Sequence, residues 1–307
     1  MKKTAGINST VSARVSRFLV AATLAATSLL LVPDNASATT TVDRSGHGPD
    51  RYLLALGDSI SFGFQGPKLT SPPNPAAFNS GYVDVLAAGD PSLDVTNYSC
   101  PGETTTSFIT GGCPWREAGF ALHDPYEGSQ LNAAVAFLQA HRQHAGTVTV
   151  AIWGNDILAL TIACGGDLAC VSQRAPAETT AFAGRLTTIL RALRAAAPSA
   201  DIAVLTAVHA FSPPTPEIDA LYDALNSAIA AAAATTRTHI ADVRPIFNPA
   251  DAAARTAAIC HYTLTCVTNG ADSHPSDAGY QAIADQFATV TRCPPPGGPS
   301  DHGCFWR

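Results

Sequence analysis

The feature that most constrains this chain is an alternation. Five short apolar or β-branched runs, at 52–56, 93–98, 148–152, 202–207 and 239–243, are each followed by a stretch with helical spacing of apolar residues, at 81–88, 129–143, 177–197, 216–234 and 275–290. Strands that alternate with helices cannot be joined as hairpins. The connection that fits is the right-handed crossover, which makes the strands parallel and lays helices over both faces of the sheet. The expected fold is therefore α/β, a three-layer α/β/α sandwich around a mostly parallel sheet of about five strands.

The N-terminus carries an export pattern. Lys2, Lys3, Arg14 and Arg17 precede an apolar run at 18–32, and Ala36-Ser37-Ala38 offers a small-residue cleavage site. Residues 1–38 are read as a signal peptide and 39–307 as a single domain with a disulfide-stapled C-terminal tail. The apolar run is shorter than the roughly 20 residues that cross a bilayer, and no later segment is long enough, so the expected localisation is secreted, with no transmembrane segment. The full chain has a formal net charge of −6, and removing the basic leader makes the remainder more acidic. Nucleic acid and anionic surfaces need a basic face, and neither is an expected partner. The chain is expected to act as a monomer.

Eight cysteines in an exported chain point to disulfides. They fall into four sequential pairs: Cys100 with Cys113, Cys164 with Cys170, Cys260 with Cys266, and Cys293 with Cys304. Nearest-neighbour pairing is one of the 105 connectivities that eight cysteines allow. The competing use, a zinc site, lacks a Cys-x-x-Cys, and the nine histidines are scattered. No metal and no cofactor are expected.

Chemistry collects beyond the carboxyl ends of the strands in such a sheet. After the first strand stands Leu56-Gly57-Asp58-Ser59-Ile60, after the second Ser99-Cys100-Pro101-Gly102-Glu103-Thr104-Thr105, and after the third Trp153-Gly154-Asn155-Asp156. The segments 57–80 and 100–128 are long turn-rich connections that should meet over one pocket. Near the C-terminus Asp272-Ser273-His274-Pro275 opens the last helical stretch, with Pro275 suited to its first turn. Ser59 offers a nucleophile, Gly102 a backbone N–H that can approach a substrate closely, Asn155 a neutral amide donor and His274 a base. Each has a plainer reading. Gly-Asp-Ser, Gly102 and Asn155 with Asp156 suit turns, and Asp272 with His274 could cap the last helix. His209, after the fourth strand, reads as a wall or core residue rather than a second base. Trp153, Phe62, Phe64 and Phe108 suit either an apolar substrate wall or the core.

These four blocks, in this order from residue 52 to residue 290, resemble the SGNH hydrolases, also called the GDSL esterase and lipase family. The run His274-Pro275-Ser276-Asp277-Ala278-Gly279-Tyr280 is similar to the family's last block. The resemblance implies a flavodoxin-like fold and a secreted serine esterase or lipase needing no cofactor. Ser59 would be the nucleophile and His274 the general base, with the Ser59 and Gly102 N–H groups and the Asn155 amide as the oxyanion hole. The substrate would be a small-molecule or lipid ester. The alternatives are a carbohydrate acetylesterase, phospholipase or thioesterase using the same site, or a catalytically silent binding protein. Two departures stand out. The family's acid usually lies three residues before the histidine, where this chain has Ala271; Asp272, two before, would reach the same side of an extended segment, or a main-chain carbonyl would replace it. Trp153 stands where the family commonly has glycine.

Overall fold

The computed structural model describes residues 51–210 and 215–291. The leader at 1–38 and the Cys293 and Cys304 pair lie outside the described residues. Five strands form the sheet: β1 (Arg51–Gly57), β2 (Leu93–Asn97), β3 (Ala145–Ala151), β4 (Asp201–Leu205) and β5 (His239–Ala241). Their order is β2-β1-β3-β4-β5 and every pairing is parallel. The central strands are buried on both faces, which is why β1 reads as an unbroken apolar run, whereas the edge strand β2 is half-exposed and mixes Asp94 and Thr96 with Leu93 and Val95.

The helices are α1 (Ser59–Phe62), α2 (Tyr82–Gly89), α3 (Thr105–Thr110), α4 (Pro114–Glu117), α5 (Gln130–Ala140), α6 (Gly154–Ala163), α7 (Leu168–Ala196), α8 (Pro216–Thr236), α9 (Arg244–Phe247), α10 (Ala252–Tyr262) and α11 (Asp277–Val290). Helices α5, α7 and α8 pack together, and α2 packs on α11. Side-chain parity assigns the two groups to opposite faces. On β1, Tyr52 meets Phe137 of α5 edge-on, while Ala55 is in register with Thr149, whose hydroxyl bonds Tyr82 of α2. Residues 52 and 55 are an odd number apart in a strand and so point to opposite sides. The result is the three-layer α/β/α sandwich, with Phe182, Leu186, Ile189 and Leu193 of α7 buried against one face and Tyr82 stacked on Phe287 of α11 on the other.

Two helical readings need correction, and one helix had no reading. The last helix starts at Asp277 with Ser276 as its N-cap, so Pro275 stands before it, bridged to Thr263, and neither Asp272 nor His274 caps it. Helix α7 does not begin after Pro176 but runs through it from Leu168. Its first turns are held by the Asp167 cap, the buried Val171 and the Cys164–Cys170 bridge, which offset the hydrogen bond that proline removes. Helix α6 carries apolar residues all round and shows no helical period, which hid it from a pattern reading.

Candidate active site

The turn that carries Ser59 is built by exclusion of a side chain. Gly57 ends β1 at φ +135°, and a Cβ there would lie 1.9 Å from the Ala151 carbonyl oxygen, so no other residue fits. The next residue, Asp58, donates its N–H to Ala151 O at 3.0 Å and turns the chain into α1, whose Ile60 N–H it caps through Oδ1 at 2.9 Å. Ser59 is thereby the first residue of a helical turn beyond the sheet edge. Asp58 is buried, and desolvation pushes its carboxyl up to about 7 against the N–H groups of Ile60 and Trp153 and the charge of His274.

His274 meets Ser59 from a segment 215 residues away, with its Nε2 2.9 Å from Ser59 Oγ. Its Nδ1 lies 2.6 Å from Asp272 Oδ1, which also accepts the His274 main-chain N–H at 2.9 Å. An ionised carboxylate only accepts, so Nδ1 carries the proton and Nε2 faces the serine hydroxyl as acceptor. Asp272 Oδ2 accepts the Gly66 N–H at 2.6 Å. Burial opposes the charge on Asp272, but the hydrogen bonds and charge of His274 and the Gly66 N–H outweigh it and hold the carboxyl at about 2. The loop after α1 is fastened to the histidine segment at further points: Gln65 Nε2 donates to Pro275 O at 2.9 Å, and Tyr280 Oη donates to Phe64 O at 2.8 Å. The Phe64 ring lies 4.8 Å from the imidazole, centre to centre.

The second long connection approaches from β2. Cys100 N donates to Gly57 O at 3.0 Å, Gly102 takes φ +87° in the turn that follows, and the Cys100–Cys113 bridge closes this loop. Asn155, in the first turn of α6, donates from Nδ2 to Glu103 O at 2.9 Å. Its neighbour Asp156 is buried and accepts from Thr105 N at 3.0 Å, Thr105 Oγ1 at 2.6 Å and Arg185 at 3.0 Å. Among the described residues no protein group accepts from the N–H of Ser59 or Gly102. The structure thus brings Ser59, His274 and Asp272 into one hydrogen-bonded line, and ties the Gly102 loop to both the Ser59 turn and Asn155.

Other residues fall elsewhere. Phe108 and Trp153 are in the main core, and Phe62 is buried in a second cluster with Phe78, Cys100 and Cys113. Of the four aromatics considered for a wall, Phe64 is the one that reaches the histidine. His209 is buried beside α8, its Nε2 3.0 Å from Asp219, which Arg255 grips at 2.8 Å. The sequence reading passed over Gly66, Glu103, Gln130 and the structural part played by Asp156. All four act through contacts between segments far apart in the chain, for which local sequence carries no signal.

The sequence pattern that defines the GDSL-like lipase/acylhydrolase family matches residues 55–282. The chain belongs to that family. It is an ester-hydrolysing enzyme. Its fold is shared by an extracellular lipase from Streptomyces rimosus (TM-score 0.56, 18% identity, 78% of this chain and 100% of that one). It is shared also by a phospholipase A1 from Streptomyces albidoflavus NA297 (TM-score 0.52, 18% identity, 78% and 98%). No curated protein matches the chain. No helix among the described residues of this enzyme is long and apolar enough to cross a membrane.

Proposed function

We propose that this enzyme cleaves carboxylic esters through a Ser59 acyl-enzyme. The observation that carries the reading is the unbroken line Ser59 Oγ, His274 Nε2, His274 Nδ1, Asp272 Oδ1, with separations of 2.9 Å and 2.6 Å at its two hydrogen bonds. Nε2 takes the hydroxyl proton as Oγ attacks the ester carbonyl carbon. Asp272 keeps the ring in the tautomer that can do so, and stabilises the imidazolium. Negative charge then develops on the carbonyl oxygen. The Ser59 and Gly102 N–H groups and the second N–H of the Asn155 amide, whose first is taken by Glu103 O, are its donors. His274 returns the proton to the leaving alcohol, and water, activated in the same way, releases the acid.

The substrate is a small-molecule or lipid ester. The lipase and the phospholipase A1 that share the fold, and the Phe64 ring against the imidazole, favour a lipophilic acyl group over a sugar acetate. Export completes the reading: a leader at 1–38, a single domain at 39–307 working as a monomer, and three short-range bridges suited to an oxidising compartment. N-terminal sequencing of the protein recovered outside the cells should begin at Thr39; an uncleaved leader overturns the export reading. The catalytic reading is tested by Ser59→Ala. Hydrolysis of p-nitrophenyl esters should fall by about 10⁴-fold or more while the melting temperature holds. Turnover near that of the native enzyme would refute it.

A further inference from the structure

Gln130, the first residue of α5, is buried and lies in neither long loop. Its carboxamide nevertheless holds both ends of the Gly57 residue: Oε1 accepts the Gly57 N–H at 2.6 Å, and Nε2 donates to Gly57 O at 3.0 Å. A neighbouring strand would make the same pair of bonds. On this side of β1 the partner strand has ended at Asn97; the chain beyond it still reaches Gly57 O through Cys100 N, but the Gly57 N–H is left to the Gln130 side chain. Nε2 also donates to Glu103 Oε2 at 3.0 Å, which uses its second hydrogen. A buried amide with all three of its bonds made holds a single orientation.

Glu103 is the residue after Gly102 and is itself buried, with its Oε2 reached also by Tyr126 at 3.4 Å. Its main-chain oxygen is the group that fixes the Asn155 amide. Gln130 therefore touches the residue two before Ser59 on one side and the residue that orients Asn155 on the other. Helix α5 supplies a rigid base for it, since Leu131, Ala134 and Leu138 are buried in the core.

We infer that Gln130 is a positioning residue that sets the nucleophile turn and the oxyanion loop at a fixed separation, acting through Gly57 and Glu103 without touching the substrate. The inference rests on the roles proposed above for Ser59 and Asn155. Removing the clamp leaves the binding surface in place but lets the oxyanion donors drift relative to Oγ, and displacements well under 1 Å matter for such donors.

The test is a set of variants assayed below their melting temperatures on a p-nitrophenyl ester. Gln130→Met, of similar volume, should lower kcat by about 10- to 100-fold with KM changed less than about twofold, because the lost alignment is felt in the transition state. In an Asn155→Ala background the same change should cost clearly less than it does alone, since one of the donors it positions is gone. Gln130→Glu sets two carboxyls in contact and takes the donor away from Gly57 O, and should lose activity; adding Glu103→Gln restores the amide and carboxyl pair, though not that donor, and should recover part of it. A purely structural residue predicts lower melting temperatures with kcat intact, or losses that multiply with Asn155→Ala, and either outcome overturns the inference. If Gln130→Met does not fold, the reciprocal pair decides: no recovery in the double exchange counts against positioning. Full activity in Ser59→Ala would instead bring down the underlying catalytic reading, which separates the two failures.

Discussion

Three buried or half-buried carboxyls surround the nucleophile turn, and their surroundings sort them. Asp272 accepts three N–H groups and stays ionised below the usual carboxylate range, whereas burial pushes Asp58 and Glu103 upward because desolvation there outweighs the donors that reach them. Only Asp272 is held as an anion against the imidazole. Its position two residues before His274 rather than three is accommodated because the segment from Asp272 to His274 folds back on itself: one oxygen, Oδ1, takes both the His274 main-chain N–H and Nδ1. Asp272→Asn should therefore lower kcat/KM by about 10³- to 10⁴-fold, as the amide can donate and would favour the wrong tautomer. With Ser276 as the cap of α11, helix capping cannot account for such a loss. Steady-state rates within about threefold of the native enzyme would remove Asp272 from the mechanism and leave a carbonyl or nothing in its place.

At the level of elements, the sheet was readable because central parallel strands are short and almost wholly apolar, and turns punctuate them. All five strands were found, with ends displaced by at most three residues, and β3 starts earlier than read because Ala145 to Thr147 is polar enough to read as a loop. The positions of Ser59, Gly102 and Asn155 were also readable, since they follow from where strands stop, and that of His274 from the block before the last helix. The supporting residues were not. Gln130 sits at the head of an ordinary amphipathic helix, and nothing about its neighbours marks it as the partner of Gly57 some 73 residues earlier. Gly66 looks like one more turn glycine, yet its N–H is what a carboxylate in a distant loop accepts. Pattern reading finds what a residue does along its own chain; these two act across it. The aromatic wall fared in between, because burial of Phe62, Phe108 and Trp153 is decided by which helix covers which strand.

For the molecule as a whole, Asp58 links the site to stability. Its carboxyl is raised to about 7 in the folded protein and is ordinary when unfolded, so between about pH 4 and 7 the folded state holds a proton that the unfolded state has released. Stability contributed by this group is present at low pH and is lost as pH rises through that window. Asp58→Asn keeps an acceptor for the Ile60 N–H but has nothing to ionise. Thermal melts should show its advantage over the native protein growing from pH 4 to pH 8; a constant difference would mean Asp58 is not carrying the buried proton. The sheet order β2-β1-β3-β4-β5 puts β1, and with it Ser59, where the connections change direction, which is where a crevice opens in this kind of sheet. That arrangement has a consequence in time. Ser59 opens the short helix that follows the first strand and His274 lies in the segment before the last helix, so a chain synthesised from its N-terminus contains the proposed nucleophile long before any His274 exists to take its proton. Nothing local can arm it. Contacts of such long span form late in folding, and with the roles proposed for Ser59 and His274 hydrolytic activity is a property of the finished molecule alone, silent in every shorter or half-folded precursor.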